Sequence, residues 1–194
     1  MITIPINLIK AAIPCAATKE VRRVLNGALF EWTAIGQTLR VVSTDGSIMS
    51  CFAVHIPTCA APDMSVIIPI ETLKAAAKVK APALELEEGA AGAAGRLGGL
   101  LFTPIDGRFP EYRRVIPTAL SGEAGSYDAA LLVRAADALR AYYGAKNGAY
   151  TFTQNGAKDS AVMHNGTNDA LVVVMPWRST KGCDVNKAYC GFAA

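Results

Sequence analysis

The chain has 194 residues, 52% of them hydrophobic and 18% charged, a globular balance with enough length to bury one large domain or a domain and a half. A formal net charge of +3 does not by itself announce a nucleic-acid partner, so the placement of the charges has to decide. No apolar run approaches bilayer-spanning length and the start lacks a basic region followed by an apolar stretch, so a cytoplasmic protein without a membrane partner is expected.

Five cysteines, Cys15, Cys51, Cys59, Cys183 and Cys190, are an odd number without a Cys-x-x-Cys pair. They read as reduced thiols rather than a disulfide framework or a zinc site, and no cofactor is expected.

Residues 2–6 read as a short apolar strand, and Asn7 is placed to cap a helix that buries Leu8, Ile9, Ala12 and Ile13 and turns Lys10 outward. Pro14 ends or kinks it. Three strand-like runs follow at 27–32, 38–43 and 48–56, with Thr44-Asp45-Gly46 turning the second into the third. This first unit closes on His55-Ile56-Pro57.

A second unit opens with a buried strand at 65–70 and a helix from Glu71 to about Lys80. Leu73, Ala76 and Ala77 face inward on that helix, with Lys74 and Lys78 one turn apart outside. Strands at 84–86 and 98–104 are joined through the Gly-rich stretch 89–99. That stretch lacks the Gly-Lys-Ser/Thr ending of a phosphate loop and does not lead from a strand into a helix, so it reads as a hairpin loop. The segment 106–117 is different. Asp106-Gly107 signals a turn, and Pro110 and Pro117 push Phe109 and Ile116 into extended conformations, giving a stiff connector. Phe109, Tyr112, Val115 and Ile116 interleave there with Arg108, Arg113 and Arg114, so the connector must pack on something. The unit closes on Val115-Ile116-Pro117.

The third unit opens near Tyr127, with Asp128 capping a helix that buries Leu131, Leu132, Ala135 and Leu139, turns Arg134 and Arg140 away and ends before Gly144. Strands at 150–154, 160–164 and 170–175 follow, the last two joined by an Asn165-Gly166 turn, and the unit closes on Val174-Met175-Pro176. Asn165-Gly166-Thr167 also matches a glycosylation sequon, but only in a secreted protein.

Pro57, Pro117 and Pro176 recur about every 60 residues, and each closes a strand, a helix and three more strands. The fold class is α+β, built from three βαβββ units. One such unit has an apolar helix face and an apolar sheet face and cannot hide both alone, so units must pair or stack. Lys10, Lys74, Lys78, Arg134 and Arg140 fall on equivalent helices and would line up one basic face, offset chiefly by Glu71 and Asp137. For an enzyme, Cys51 and His55 are the tempting pair, four apart on one strand face. No acid orients the histidine in sequence and a strand cysteine is ordinarily core, so catalysis is not expected.

These residues resemble a known family, the bacterial DNA sliding clamp, the beta subunit of DNA polymerase III. Val21-Arg-Arg-Val-Leu-Asn-Gly-Ala-Leu-Phe-Glu31, Leu39-Arg-Val-Val-Ser-Thr-Asp-Gly46, Ser65-Val-Ile-Ile-Pro69 and Asp106-Gly-Arg-Phe-Pro-Glu-Tyr-Arg-Arg-Val-Ile-Pro117 look like the clamp's middle domain, in the same order. Residues from about 124 to 178 look like the second half of its last domain. The resemblance implies a DNA-clamp fold with one full clamp domain at 1–117, a half domain at 118–178, and a tail at 179–194 beyond the family's end.

It also implies a ring with helices toward duplex DNA, held by sequence-blind phosphate contacts from Lys10, Lys74, Lys78, Arg134 and Arg140. Short peptide motifs of replication or repair proteins would enter an apolar pocket at Leu25, Thr44, Gly46, Met49, Pro110, Arg114, Val115, Val173, Val174, Met175, Pro176, Trp177 and Arg178. Ser47 and Ile48 stand where the family commonly carries basic or larger polar residues, and Trp177 replaces a smaller apolar one.

The implied function is a clamp-like tether, or alternatively a clamp relative that binds or sequesters clamp partners without encircling DNA. With three units instead of an even number, the third would expose an apolar helix stripe and a sheet edge, so a homo-dimer is expected, or a homo-tetramer closing a ring of about six domains.

Overall fold

Period-two alternation of apolar side chains shapes the first strands. β1 (Ile2–Pro5) buries Ile2 and Ile4 and leads straight into α1 (Ile6–Ala12). In this computed structural model, which describes residues 1–57, 59–87, 94–145 and 148–177, Asn7 does not cap α1. Pro5 takes that position, and the Asn7 amide donates to the Tyr142 carbonyl on the third helix. Pro14 ends the α-helix by tightening it into a single 3-10 turn, Ile13–Cys15.

β2 (Gly27–Thr33), β3 (Thr38–Thr44) and β4 (Ile48–His55) form an antiparallel meander, and β5 (Met64–Pro69) pairs with the outer side of β2. α2 (Ile70–Ala76) stops before the expected Lys80. β6 (Ala83–Glu87), β7 (Gly95–Leu97) and β8 (Leu100–Phe102) follow. The expected 98–104 strand is therefore a hairpin: Gly98 and Gly99 take φ of +55° and +86°, the left-handed backbone a two-residue turn requires. Part of the stretch 89–99, expected as a Gly-rich hairpin loop, falls at residues 89–93 and lies outside the described residues.

α3 (Ala129–Tyr143) has the ends expected of it. The Asp128 carboxylate accepts from the Ala130 amide and Gly144 closes the helix at φ +65°. β9 (Thr151–Thr153), β10 (Ala161–His164) and β11 (Ala170–Val174) complete the described strands. Between the connector and α3 the described residues form no strand, in contrast to the expected βαβββ order. The chain there runs beside residues 154–156 instead, with the Gly122 amide donating to Gln154 and the Gly156 amide to Glu123. Gly125 passes so close to the Gly156 carbonyl that a Cβ would meet it at 2.3 Å.

The strands make two sheets, β1-β6-β7-β8 and β5-β2-β3-β4-β11-β10-β9. The first two units thus exchange their opening strands, and the third joins the first through antiparallel pairing of β11 with β4. One face of both sheets packs on the helices, α1 lying between α2 and α3, around Phe30, Trp32, Phe52, Leu8, Ile9, Leu73 and Leu139. The expectation of an open helix stripe on the third unit is corrected here. Ala135, Ala138 and Leu139 are fully buried, because α3 packs on α1 and β11 within the same chain.

On the other face of the seven-stranded sheet, Leu29, Val42, Met49, Ile67, Val162 and Val173 are covered by the connector 106–117 through Phe109 and Tyr112. Each of these two aromatic burials is worth about 1.5–3 kcal/mol. The connector runs irregularly except for one 3-10 turn, Tyr112–Arg114.

Candidate functional site: a cleft beside the connector

A tight turn builds one rim. The Asp45 carboxylate accepts from the Ser47 amide (2.8 Å) and the Ile48 amide (3.1 Å), and the Thr44 hydroxyl accepts from the Gly46 amide and donates to the Ile48 carbonyl. Gly46 sits at φ +97°, which favours glycine there. Across the β4–β11 ladder Met49 stands opposite Val173, and the Met175 amide donates to the Ser47 carbonyl (2.9 Å), bringing the end of β11 to the same turn. Pro110, Tyr112 and Val115 of the connector supply the other wall.

The result is a cleft of about 110 Å³ lined by Arg22, Leu25, Thr44, Gly46, Ser47, Ile48, Met49, Pro110, Tyr112, Val115, Val173 and Met175. Its lining is mostly apolar, with Arg22 as the one charged side chain and Glu20 at 3.4 Å from that guanidinium. The Tyr112 hydroxyl donates to Glu31 (2.8 Å). Burial and that carboxylate both push its pKa upward, so it stays a neutral donor. Arg113 pairs with Glu31 and lies 4.6 Å over the Tyr112 ring, bracing the connector.

Of the thirteen residues expected at a pocket, Leu25, Thr44, Gly46, Met49, Pro110, Val115, Val173 and Met175 line this cleft. Val174 does not: strand alternation turns it to the helix side, where it is fully buried. Arg114 is exposed on the 3-10 turn, and Pro176 and Trp177 lie past the lining. Trp177 is 61% exposed and its amide donates to the Ser126 carbonyl. Arg178 lies outside the described residues.

Arg22 and Tyr112 were missed as lining, and Ser47 and Ile48, noted in sequence only as departures from the family beside the pocket, line it too. Ser47 and Ile48 follow Gly46 directly, and Tyr112 is two residues from Pro110, so the neighbouring motifs held the signal.

The basic side chains are less free than their spacing implies. Lys74 pairs with Glu71 (3.0 Å), Arg140 with Asp137 (2.6 Å) and Arg134 with Asp45 (2.7 Å), whereas Lys10 and Lys78 are exposed and make no ion pair among the described residues. Lys78 lies in the turn after α2. Nothing about Cys51 favours nucleophilic chemistry. Burial pushes its thiol up to about 11, and His55 is exposed at the end of the strand. Burial pushes Cys15 up to about 12. Among the described residues no group of three or more His, Cys, Asp or Glu side chains is placed to hold a metal, and no helix is long and apolar enough to cross a membrane.

Residues 5–111 match the family described as DNA polymerase III beta subunit, central domain. The beta sliding clamp of Escherichia coli K12 is 37% identical over 117 residues, taking in 57% of this chain and 31% of that protein. That of Vibrio cholerae is 36% identical over 107 residues, or 52% and 28%. The alignments thus span less than a third of these relatives' length.

The fold reaches further along the chain. The DNA polymerase III subunit beta of Pseudomonas aeruginosa superposes with a TM-score of 0.73 at 19% identity, covering 92% of this chain and 66% of that one. A Helicobacter pylori beta clamp bound to a DNA ligase peptide superposes with a TM-score of 0.73 at 15% identity, covering 91% and 65%. By the match of its residues 5–111, the chain belongs to the DNA polymerase III beta subunit family.

Proposed function

We propose that the chain is a non-enzymatic, clamp-like binding protein that tethers replication or repair proteins to duplex DNA in the cytoplasm, taking a short peptide of each partner into the cleft. The observation that carries this reading is the cleft: an apolar, open site assembled from the β3–β4 turn, the connector and the end of β11. A related fold in Helicobacter pylori holds a DNA ligase peptide, which makes such a peptide the natural probe. Calorimetric titration with it should show saturable binding that is lost in Val115→Glu. Equal binding by that variant would place the site elsewhere, and no binding by the native chain would remove the reading.

A second reading, a relative that engages clamp partners without encircling DNA, is favoured by the ion pairs of Lys74, Arg134 and Arg140. Retention on duplex DNA separates the two. The tether requires affinity that falls with salt, and the second reading requires peptide binding without it. For either one we take residues 1–117 as a complete clamp domain and 118–178 as a half domain, assembled as a dimer or tetramer.

A further inference from the structure

We infer that Arg134 is a positioning residue of the cleft and not a phosphate contact: through Asp45 it locks helix α3 to the turn that forms the cleft's rim. The inference rests on reading the cleft as a peptide site. The Asp45 carboxylate is divided between two tasks. One oxygen accepts from the Ser47 and Ile48 amides and so shapes the turn, while the other meets the Arg134 guanidinium at 2.7 Å. Arg134 is itself held a second time, its Nε donating to the Pro14 carbonyl (2.8 Å) on the 3-10 turn that follows α1.

The pair is two-thirds or more withdrawn from solvent, at 32% and 21% side-chain exposure. Its chemistry therefore differs from the open Lys74–Glu71 and Arg140–Asp137 pairs, whose cations a phosphate can recruit at little cost. Recruiting Arg134 to DNA means leaving Asp45 partly buried without its counter-charge and freeing the Pro14 carbonyl. Because Thr44, Gly46 and Ser47 line the cleft and the Ser47 carbonyl also holds the Met175 amide, a loosened turn shifts two walls together.

The test compares the native chain with Arg134→Ala, Arg134→Lys, Asp45→Asn and the Arg134→Ala/Asp45→Asn double variant. It reads amide exchange at Ser47 and Ile48, affinity for a DNA ligase peptide, and the salt slope of duplex DNA retention. Arg134→Ala should speed exchange at those two amides by about tenfold, lower the global unfolding midpoint because Asp45 is left without its counter-charge, and weaken the peptide by about three- to tenfold. The double variant should be little worse than either single one, as expected of two residues acting as a pair. Lysine should restore part of the loss, since an ammonium can meet Asp45 but lacks the planar fork that also reaches Pro14. The salt slope should stay unchanged.

Unchanged exchange at Ser47 and Ile48 overturns the inference. So does a salt slope reduced by about one with peptide affinity intact, which marks a phosphate contact. A native chain that takes no peptide sinks the cleft reading alone, and the exchange measurement still decides whether Arg134 holds the turn.

Discussion

Val174 and Met175 are adjacent, yet the structure assigns them opposite consequences. Val174 is fully buried on the helix face, so Val174→Ala removes two carbons from a closed core. At about 0.8 kcal/mol for each, with a further contribution for the cavity left behind, the cost is about 2–3 kcal/mol of stability. Met175 is 36% exposed and lines an open cleft, where truncation leaves no enclosed void, so Met175→Ala should cost about 1 kcal/mol or less. On binding the order reverses. An apolar anchor that a peptide buries is worth about 2 kcal/mol, close to a thirtyfold loss of affinity, whereas Val174→Ala should leave the peptide within about twofold. Urea denaturation gives the first quantity, and calorimetric titration of a DNA ligase peptide into folded protein gives the second. Equal loss of affinity in both variants, or greater destabilisation by Met175→Ala, would refute the assignment of faces.

Replacing Lys10 and Lys78, which make no ion pair among the described residues, by alanine should lower the salt slope of duplex retention by roughly two, and an unchanged slope would remove the helix layer as a DNA surface. Light scattering should find a dimer or larger at micromolar concentration, because β9 ends its sheet and β8, with Leu101 66% exposed, ends the other. Lysine at Thr151 and Thr153 should dissociate an assembly made through β9 without lowering the melting temperature, and a well-folded native monomer rules the assembly out. Asp169 supplies a pH dependence. Burial raises its carboxyl, but hydrogen bonds from Thr167, Tyr142 and Tyr143 outweigh this and hold it below the ordinary value. Its stabilisation is therefore complete above the unfolded-state pKa and lost as pH falls through the lower folded one. Asp169→Asn should flatten the fall in urea midpoint below about pH 4, and a variant with the native slope contradicts this.

Features that depend on neighbours in sequence were legible. Asp128 and Gly144 mark the two ends of α3 by cap chemistry, and the alternation of arginines with Phe109 and Tyr112 shows that the connector packs. What it packs on was hidden. The pairing of β11 with β4 joins residues more than a hundred positions apart, and nothing local distinguishes a strand that finds a partner within its own chain from one left as an edge. For the same reason the apolar stripe of α3 looks exposed in sequence: the chain's third unit has no full partner unit, although α1 covers it. Alternation along β11 separates Val173 from Val174, but which of them faces the cleft depends on which side of the sheet the connector occupies.

Charge was the least legible feature, for a physical reason. Helix periodicity shows that a lysine or arginine points away from the core, but a cation's availability to a phosphate depends on what else reaches it. For Lys74 and Arg140 the answer was partly visible, since Glu71 and Asp137 sit three residues earlier on the same helices. For Arg134 it was not, because Asp45 lies on a turn of another unit and in sequence looks only like the middle of a hairpin. A surface pair gives up its cation at a cost of about 0–1 kcal/mol, while a pair partly withdrawn from water resists far more strongly, because breaking it strands a charge. Five basic residues at equivalent spacing therefore make a face of unequal strength: Lys10 and Lys78 stand open to any phosphate, whereas Arg134 is already held by Asp45.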